Sequence, residues 1–192
     1  MNHALKTYIE HYVALETGIQ EWVLKKCQSL CAQCTAICCD VVMCEEAIKS
    51  PFLKLVHQQT DQFDKETGFL SNSGCRLKIG RPSVCYGYFC DNHFYYQPDD
   101  LHAHILQILG ALLHHAIQNA KDGIPLDEIL SETELENIDF QTLEKQLQES
   151  VKALEIIRSF YQDGTLSAAS LLILKRIRIP EEFDSPPEAS GI

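Results

Sequence analysis

The sequence predicts a mainly α-helical protein, a helical bundle that carries an irregular, cysteine-rich metal-binding segment. Apolar residues recur at three- and four-residue intervals over several long stretches, which is typical of amphipathic helices. Nine cysteines occur in 192 residues, and most fall into two tight groups. We expect residues 1–179 to form one domain, with the cysteine-rich segment at about 27–96 and a flexible acidic tail at 180–192.

In the first half of the chain, an amphipathic pattern runs from Ala4 to about Gln28 and leads directly into the cysteines. Residues 30–43 predict a ligand loop with short helical turns, and a helix resumes at Glu45–Lys49. Pro51 favours a new helical start, because the first helical position needs no backbone N–H. Asp64–Gly74 is polar and contains two glycines. It predicts a loop that returns the chain to the cysteines.

In the second half, Gly74–Cys90 contains Gly, Pro and alternating apolar residues, so it predicts irregular or short-stranded structure without a long helix. Asp99 and Asp100 are suited to cap a helix that continues to about Asp122, where Gly123 closes it. The apolar residues that we expect to face inward on this helix are Leu101, Ile105, Ile108, Leu109, Leu112, Leu113 and Ile117.

Shorter and longer helices follow in the last third of the chain. Short helices are predicted from Pro125 and at about Glu132–Asn137. The amphipathic pattern returns over Phe140–Tyr161 and ends before Gly164, since glycine commonly terminates helices. A last helix is predicted at about Ser167–Ile177. No internal repeat is visible.

The two cysteine groups predict a metal site. The first group is Cys31, Cys34, Cys38 and Cys39, the second is Cys75, Cys85 and Cys90, and Cys44 trails the first. Thiolate ligands must converge to about 2.3 Å from one ion, and short spacings make this convergence easy. No secretory signal or apolar run of membrane-spanning length is visible, so we expect a cytoplasmic protein. A reducing compartment and an odd cysteine count disfavour disulfides.

The charge of the chain restricts its partners. A net charge of −11 opposes binding to nucleic acid, because such binding depends on Lys and Arg at phosphates. We expect a metal ion as partner, with no nucleic acid and no membrane; a protein partner is left open. Basic residues near the cysteines would compensate the negative charge of a thiolate site. These residues are Lys25, Lys26, Arg76, Lys78 and Arg81.

Two strings of residues carry a family resemblance. They are Cys31-x2-Cys34-x3-Cys38-Cys39 and Arg81-Pro82-x2-Cys85-x4-Cys90, with Cys75 before the second string. Over about residues 27–95 the chain resembles the bacterial cysteine-cluster family described as a zinc- or iron-chelating domain and called YkgJ-like. The resemblance implies a chelated metal and no established reaction. It marks as ligands the seven cysteines Cys31, Cys34, Cys38, Cys39, Cys75, Cys85 and Cys90.

The residues leave open how many cysteines bind a metal and which metal they bind. With Cys44 the set has eight thiolates, enough for two four-thiolate sites or one multinuclear cluster. Cys27 is expected to be a helix residue without a metal role. His93, three residues after Cys90, is a further candidate ligand, although we expect a surface position for it. Zinc and an iron–sulfur cluster both accept four cysteines, so the cofactor is one or the other.

The leading hypothesis is therefore a metal-binding protein. An iron–sulfur redox or sensor protein, an accessory component of a methyltransferase-type enzyme system and a metal store or chaperone are the alternatives. The sequence contains no hydrolase or kinase motif. It therefore favours a protein without enzymatic activity, although whether the protein is an enzyme is left open. Aromatic residues beside the second group are expected to form a small hydrophobic shell around the metal: Tyr86, Tyr88, Phe89, Phe94, Tyr95 and Tyr96.

Overall fold

Three long helices form the body of the protein: α1 (His3–Cys31), α6 (Asp100–Ile117) and α8 (Phe140–Asp163). The computed structural model describes residues 3–31, 41–71 and 74–180, and within them the side chains of all residues except 28–31, 91 and 92. The shorter helices in these ranges are α2 (Val41–Lys49), α3 (Pro51–His57), α4 (Val84–Gly87), α5 (Asp91–Tyr95), α7 (Glu132–Glu136) and α9 (Ala168–Leu174). The mainly helical prediction is confirmed.

The core lies between α1, α6 and α8, whose apolar stripes face one another. Two buried hydroxyl groups on these helices bond to backbone carbonyls of α6. The Tyr8 hydroxyl of α1 donates to the Ala116 carbonyl of α6 (2.8 Å). The Ser150 hydroxyl of α8 donates to the Leu112 carbonyl of α6 (2.8 Å). Helices α1 and α8 are therefore each held to α6 by packing and by one specific hydrogen bond.

Small elements carry the cysteine-rich part of the chain. A 3₁₀ turn at Thr60–Gln62 precedes a two-stranded antiparallel hairpin, β1 (Leu70–Ser71) and β2 (Gly74–Cys75). In the hairpin Leu70 pairs with Cys75. Residues 76–83 have no regular helix or strand, and α4 and α5 contain four and five residues. The predictions of an irregular or short-stranded segment and of no long helix there are confirmed for the described residues.

The helix α6 begins as predicted and ends earlier than predicted. The Asp99 carboxylate accepts the His102 backbone N–H (2.9 Å), which is the expected N-terminal cap. The predicted end at Asp122 is wrong, because the helix stops at Ile117 and Gln118 has extended backbone angles. Asn119 then has a φ of 56°, a left-handed conformation that ends a helix.

Other boundaries were predicted more closely. Gly164 takes a left-handed conformation (φ 72°) after α8, and its N–H donates to the Phe160 carbonyl. The last helix, α9, ends at Leu174 and is shorter than predicted. Leu101 was expected to face inward, but it lies in the first turn of α6, which leaves 41% of it exposed.

Within the described ranges, no helix combines the length and apolar character that crossing a bilayer requires.

The short predicted helix at Pro125 is a 3₁₀ turn at Leu126–Glu128. Residues 181–192 of the predicted tail lie outside the described residues. The division at residue 180 therefore stays a prediction.

Candidate functional site

The predicted metal ligands fall partly outside the described residues. Cys34, Cys38 and Cys39 lie there, and Cys31 is the last residue of α1 with a side chain that is not described. The structure describes the four remaining predicted ligands, which are Cys44, Cys75, Cys85 and Cys90. Among the described residues, no three His, Cys, Asp or Glu side chains are placed to hold a metal ion together.

Cys44 of α2 contacts the turn that leads into the hairpin. Gly68, in this turn, has a φ of 60°, and a methyl group built on it would lie 2.8 Å from the Cys44 Sγ. Glycine is needed both for the left-handed backbone and for this close approach. Two residues later, Leu70 pairs with Cys75 across the hairpin. Cys44, which trails the first cysteine group, therefore lies against the turn that precedes the hairpin, and that hairpin carries the first residue of the second group.

Cys85 and Cys90 lie around α4, on the side of the molecule where α4 meets α6. Cys85 is exposed, whereas Cys90 is half-buried between α4 and α5. The Cys90 carbonyl accepts the His93 backbone N–H (2.8 Å) at the start of α5. Helix α5 itself contacts α1, the helix that ends in Cys31. The five cysteines with described side chains form no disulfide with one another.

His93 is buried, so its expected surface position was wrong. Only 5% of it is exposed, and its ring lies edge-on to that of Phe89 at a centroid distance of 6.1 Å. Burial lowers the pKa of the imidazole, which favours the neutral form that metals bind. Its role as a ligand stays a prediction.

A buried carboxylate of α1 binds the segment between Cys75 and Cys85. Glu16 is fully buried, and its two oxygens accept the Gly80 N–H (2.8 Å) and the Arg81 N–H (3.1 Å). The Tyr86 hydroxyl also donates to it (2.7 Å). Burial raises the pKa of the Glu16 carboxyl, and the bonds from Gly80, Tyr86 and Arg81 oppose this rise.

A second buried carboxylate, from a different element, binds the same segment. Asp127, in the 3₁₀ turn after α6, accepts the Ser83 N–H (3.2 Å) and is 5% exposed. Burial raises the pKa of Asp127, and bonds from the Ser83 N–H and hydroxyl oppose the rise. The Gln20 amide of α1 adds a bond to the Lys78 carbonyl (2.6 Å). The irregular segment is thus held by side chains of distant elements.

The basic residues near the cysteines contact backbone and rings. Arg76 donates to the Gly68 and Leu70 carbonyls (both 3.3 Å), and Arg81 donates to the Leu77 carbonyl (2.8 and 3.0 Å). In α1, the Lys25 ammonium lies 4.7 Å from the Trp22 ring and that of Lys26 lies 3.4 Å from the Tyr161 ring. These local contacts were not predicted. Compensation of thiolate charge stays a prediction.

The aromatic residues beside the second group separate into two sets. Tyr86 and Phe89 are buried, and Phe94 is half-buried against the core. Tyr88, Tyr95 and Tyr96 are exposed, by 47%, 82% and 63%. The prediction that all six residues form a hydrophobic shell is therefore wrong for Tyr88, Tyr95 and Tyr96. Phe94 and Tyr95 are consecutive in α5, and consecutive side chains of a helix point in different directions.

Sequence reasoning missed Glu16 and Asp127. A signal for Glu16 was present, because it lies between Tyr12 and Ile19 on the inward face of α1, where a carboxylate needs a buried partner. Asp127 had no such signal, since a polar residue in a short turn is ordinary. Cys27 lies in α1 and is 8% exposed among apolar residues, which agrees with its predicted position in the helix.

The donors that the structure describes fit a thiophilic metal. Cys44, Cys75 and Cys90 are half-buried thiols, and thiolates suit zinc and iron–sulfur clusters. Comparisons of the chain with protein-family models, curated proteins and solved structures gave no match. The YkgJ-like resemblance therefore rests on the residues quoted above and stays a prediction.

Proposed function

We propose that this protein binds a metal, zinc or an iron–sulfur cluster, through its two cysteine groups. The contact of Cys44 with the turn before the hairpin is the observation that carries the proposal. It supports a meeting of the two groups, because Cys44 follows the first group by five residues and Cys75 lies in the hairpin itself. The ligands in the proposal are Cys31, Cys34, Cys38, Cys39, Cys44, Cys75, Cys85 and Cys90.

The elements on both sides of the first group also support the proposal that the two cysteine groups lie close together. Residues 32–40 connect the end of α1 to the start of α2. Helix α1 contacts α5, which follows Cys90, and α2 contacts the turn near Cys75. The two helices that flank the first group thus each contact a part of the chain next to the second group.

The chemistry of the thiols supports a metal more than a catalytic or packing role. When bound, zinc would hold the thiolates in a tetrahedron, and an iron–sulfur cluster would add redox activity. Cys44, Cys75 and Cys90 are half-buried. A cysteine used only for packing is commonly buried completely.

Metal analysis of the purified protein tests the proposal. We expect zinc, or iron with sulfide, at a stoichiometry of at least one metal per chain in wild type. Cys75→Ser and Cys85→Ser should lower it, because each removes a proposed ligand. Cys27→Ser is the matched control, since Cys27 is proposed to have no metal role. Wild-type protein without zinc or iron, or equal loss in the Cys27 variant, would contradict the proposal.

Absorption spectra of the same samples separate the metals. A brown protein with visible charge-transfer bands would support an iron–sulfur redox or sensor role, and a colourless protein with zinc would exclude it. Binding of S-adenosylmethionine, measured by calorimetry, tests the alternative of an accessory role in a methyltransferase system. A result without binding would remove this alternative.

A further inference from the structure

We infer that Glu16 and Asp127 are positioning residues that hold the segment 78–86 in its folded conformation before any metal binds. The part of this inference that concerns metal affinity rests on the proposed function. The segment lies between Cys75 and Cys90 and contains Cys85. It has little regular structure of its own, so something else must order it.

The bonds to Glu16 and Asp127 are spread along the whole segment. Glu16 binds the N–H groups of Gly80 and Arg81 near the start of the segment and the hydroxyl of Tyr86 at its end. Asp127 binds the Ser83 N–H between them. Both carboxylates come from elements outside the cysteine-rich segment, α1 and the turn after α6.

Placing carboxylates in these positions is costly for folding, which argues for a function. An isolated buried carboxylate loses its hydration, and an apolar residue in its place would add to the core. Glu16 is fully buried on the inward face of α1, and each of its described hydrogen bonds goes to the segment 80–86. The structure thus directs this buried charge at one target, the backbone around Cys85.

Close packing restricts the same segment from a third side. Gly80 has a φ of 73°, and a methyl group built on it would lie 2.8 Å from the His57 Cβ and 3.0 Å from the His57 backbone nitrogen. Tyr86 is buried, and its carbonyl lies against Gly110 of α6. With both ends of the segment fixed, its ordering costs no free energy at the moment a metal binds.

Amide hydrogen exchange in the metal-free, reduced protein tests the positioning directly. We expect slow exchange at Gly80, Arg81 and Ser83 in wild type after chelator treatment. Glu16→Gln should speed exchange at Gly80 and Arg81 by about tenfold or more, since it weakens two bonds. Glu10→Gln, an exposed site on the same helix, is the matched control and should leave both rates unchanged.

Zinc affinity, measured by competition with a chromophoric chelator, tests the consequence for the metal. We expect Glu16→Gln to weaken zinc binding by about 10- to 100-fold, the range typical for partners that orient ligands. Tyr86→Phe removes one bond to Glu16 and should cause a smaller loss. This variant keeps the test usable if Glu16→Gln fails to fold.

The possible failures are distinguishable. Fast exchange at Gly80, Arg81 and Ser83 in metal-free wild type would overturn the positioning inference, even if the protein binds zinc. Slow exchange together with no bound or bindable metal would reject the proposed function and the affinity effect, and would limit Glu16 to a structural role. Slow exchange in wild type together with unchanged zinc affinity in Glu16→Gln would overturn the part of the inference that concerns metal affinity.

Discussion

His57 is a buried histidine at the C-terminal end of α3, where it packs against Gly80. Its Nδ1 accepts the Gln59 N–H (2.8 Å), so Nε2 carries the hydrogen that bonds to the Ala47 carbonyl (3.0 Å). The ring lies edge-on to Phe69, and its Cβ lies against Gly80. Burial lowers the pKa of His57 below its ordinary value of 6.5, and Lys54 adds a smaller effect in the same direction. The neutral ring therefore belongs to the folded state.

The lowered pKa of His57 predicts a loss of stability in acid. Below pH 6.5 the unfolded chain binds the proton more readily than the folded protein, so the free energy of unfolding falls as pH decreases toward the folded pKa. His57→Gln should lower stability at pH 8 and weaken this pH dependence. Urea unfolding of metal-free protein between pH 5 and 8 checks both effects. An unchanged slope in the variant would contradict the assignment.

The contact between α4 and α6 depends on a glycine inside a helix. A methyl group built on Gly110 would lie 2.7 Å from the Phe89 ring, 2.8 Å from the Tyr86 carbonyl oxygen and 3.0 Å from the Gly87 Cα. Two of these neighbours are backbone atoms, which cannot turn aside like a flexible side chain. Glycine costs helix stability, so its presence here is explained by the close approach of the chain segment that carries Cys85 and Cys90.

Gly110→Ala is predicted to destabilise the protein by roughly 1–3 kcal/mol, because the added methyl group must displace α4. Gly18→Ala is the control. Its methyl group would meet the flexible end of Arg158 at 2.8 Å and the Leu154 side chain at 3.0 Å. There the gain in helix propensity, about 1 kcal/mol, should offset the crowding. Denaturant unfolding of both variants checks the difference, and equal effects would contradict it.

The buried core of the molecule contains none of the proposed ligands in the described ranges, and the half-buried Cys44 and Cys75 pack against it. The buried apolar residues come mainly from α1, α6 and α8, and Cys27 is the cysteine among them in the described ranges. Glu16 and Asp127 connect this core to the cysteine-rich segment through hydrogen bonds. The body of the protein therefore has the packing needed to fold without a metal, unlike a zinc finger.

Removal of metal by a chelator is predicted to leave the helical circular dichroism signal near its original intensity, because the long helices pack on one another. The melting temperature should fall, since bound metal stabilises the folded state by mass action. Far-ultraviolet spectra and thermal melts with and without chelator check this. Loss of most of the helical signal would show that the metal is required for the fold.

The sequence by itself determined the long helices and the nature of the cysteine-rich segment. The periodic apolar residues of α1, α6 and α8 and the caps at Asp99 and Gly164 are local signals, and the structure follows them. The cysteine spacing indicated which residues are candidate ligands. Helix ends such as that at Ile117 were missed, because a left-handed residue at Asn119 has only a weak local signal.

Only the tertiary structure decided what surrounds the candidate ligands that it describes, Cys44, Cys75, Cys85 and Cys90. The burial of His93, the contact of Cys44 with Gly68 and the bonds of Glu16 to Gly80 join residues far apart in the chain. Such contacts depend on how the three long helices pack, and a local pattern carries no information about that arrangement. A charged residue on an apolar helix face reveals that a partner is needed, and the fold alone shows which backbone it binds.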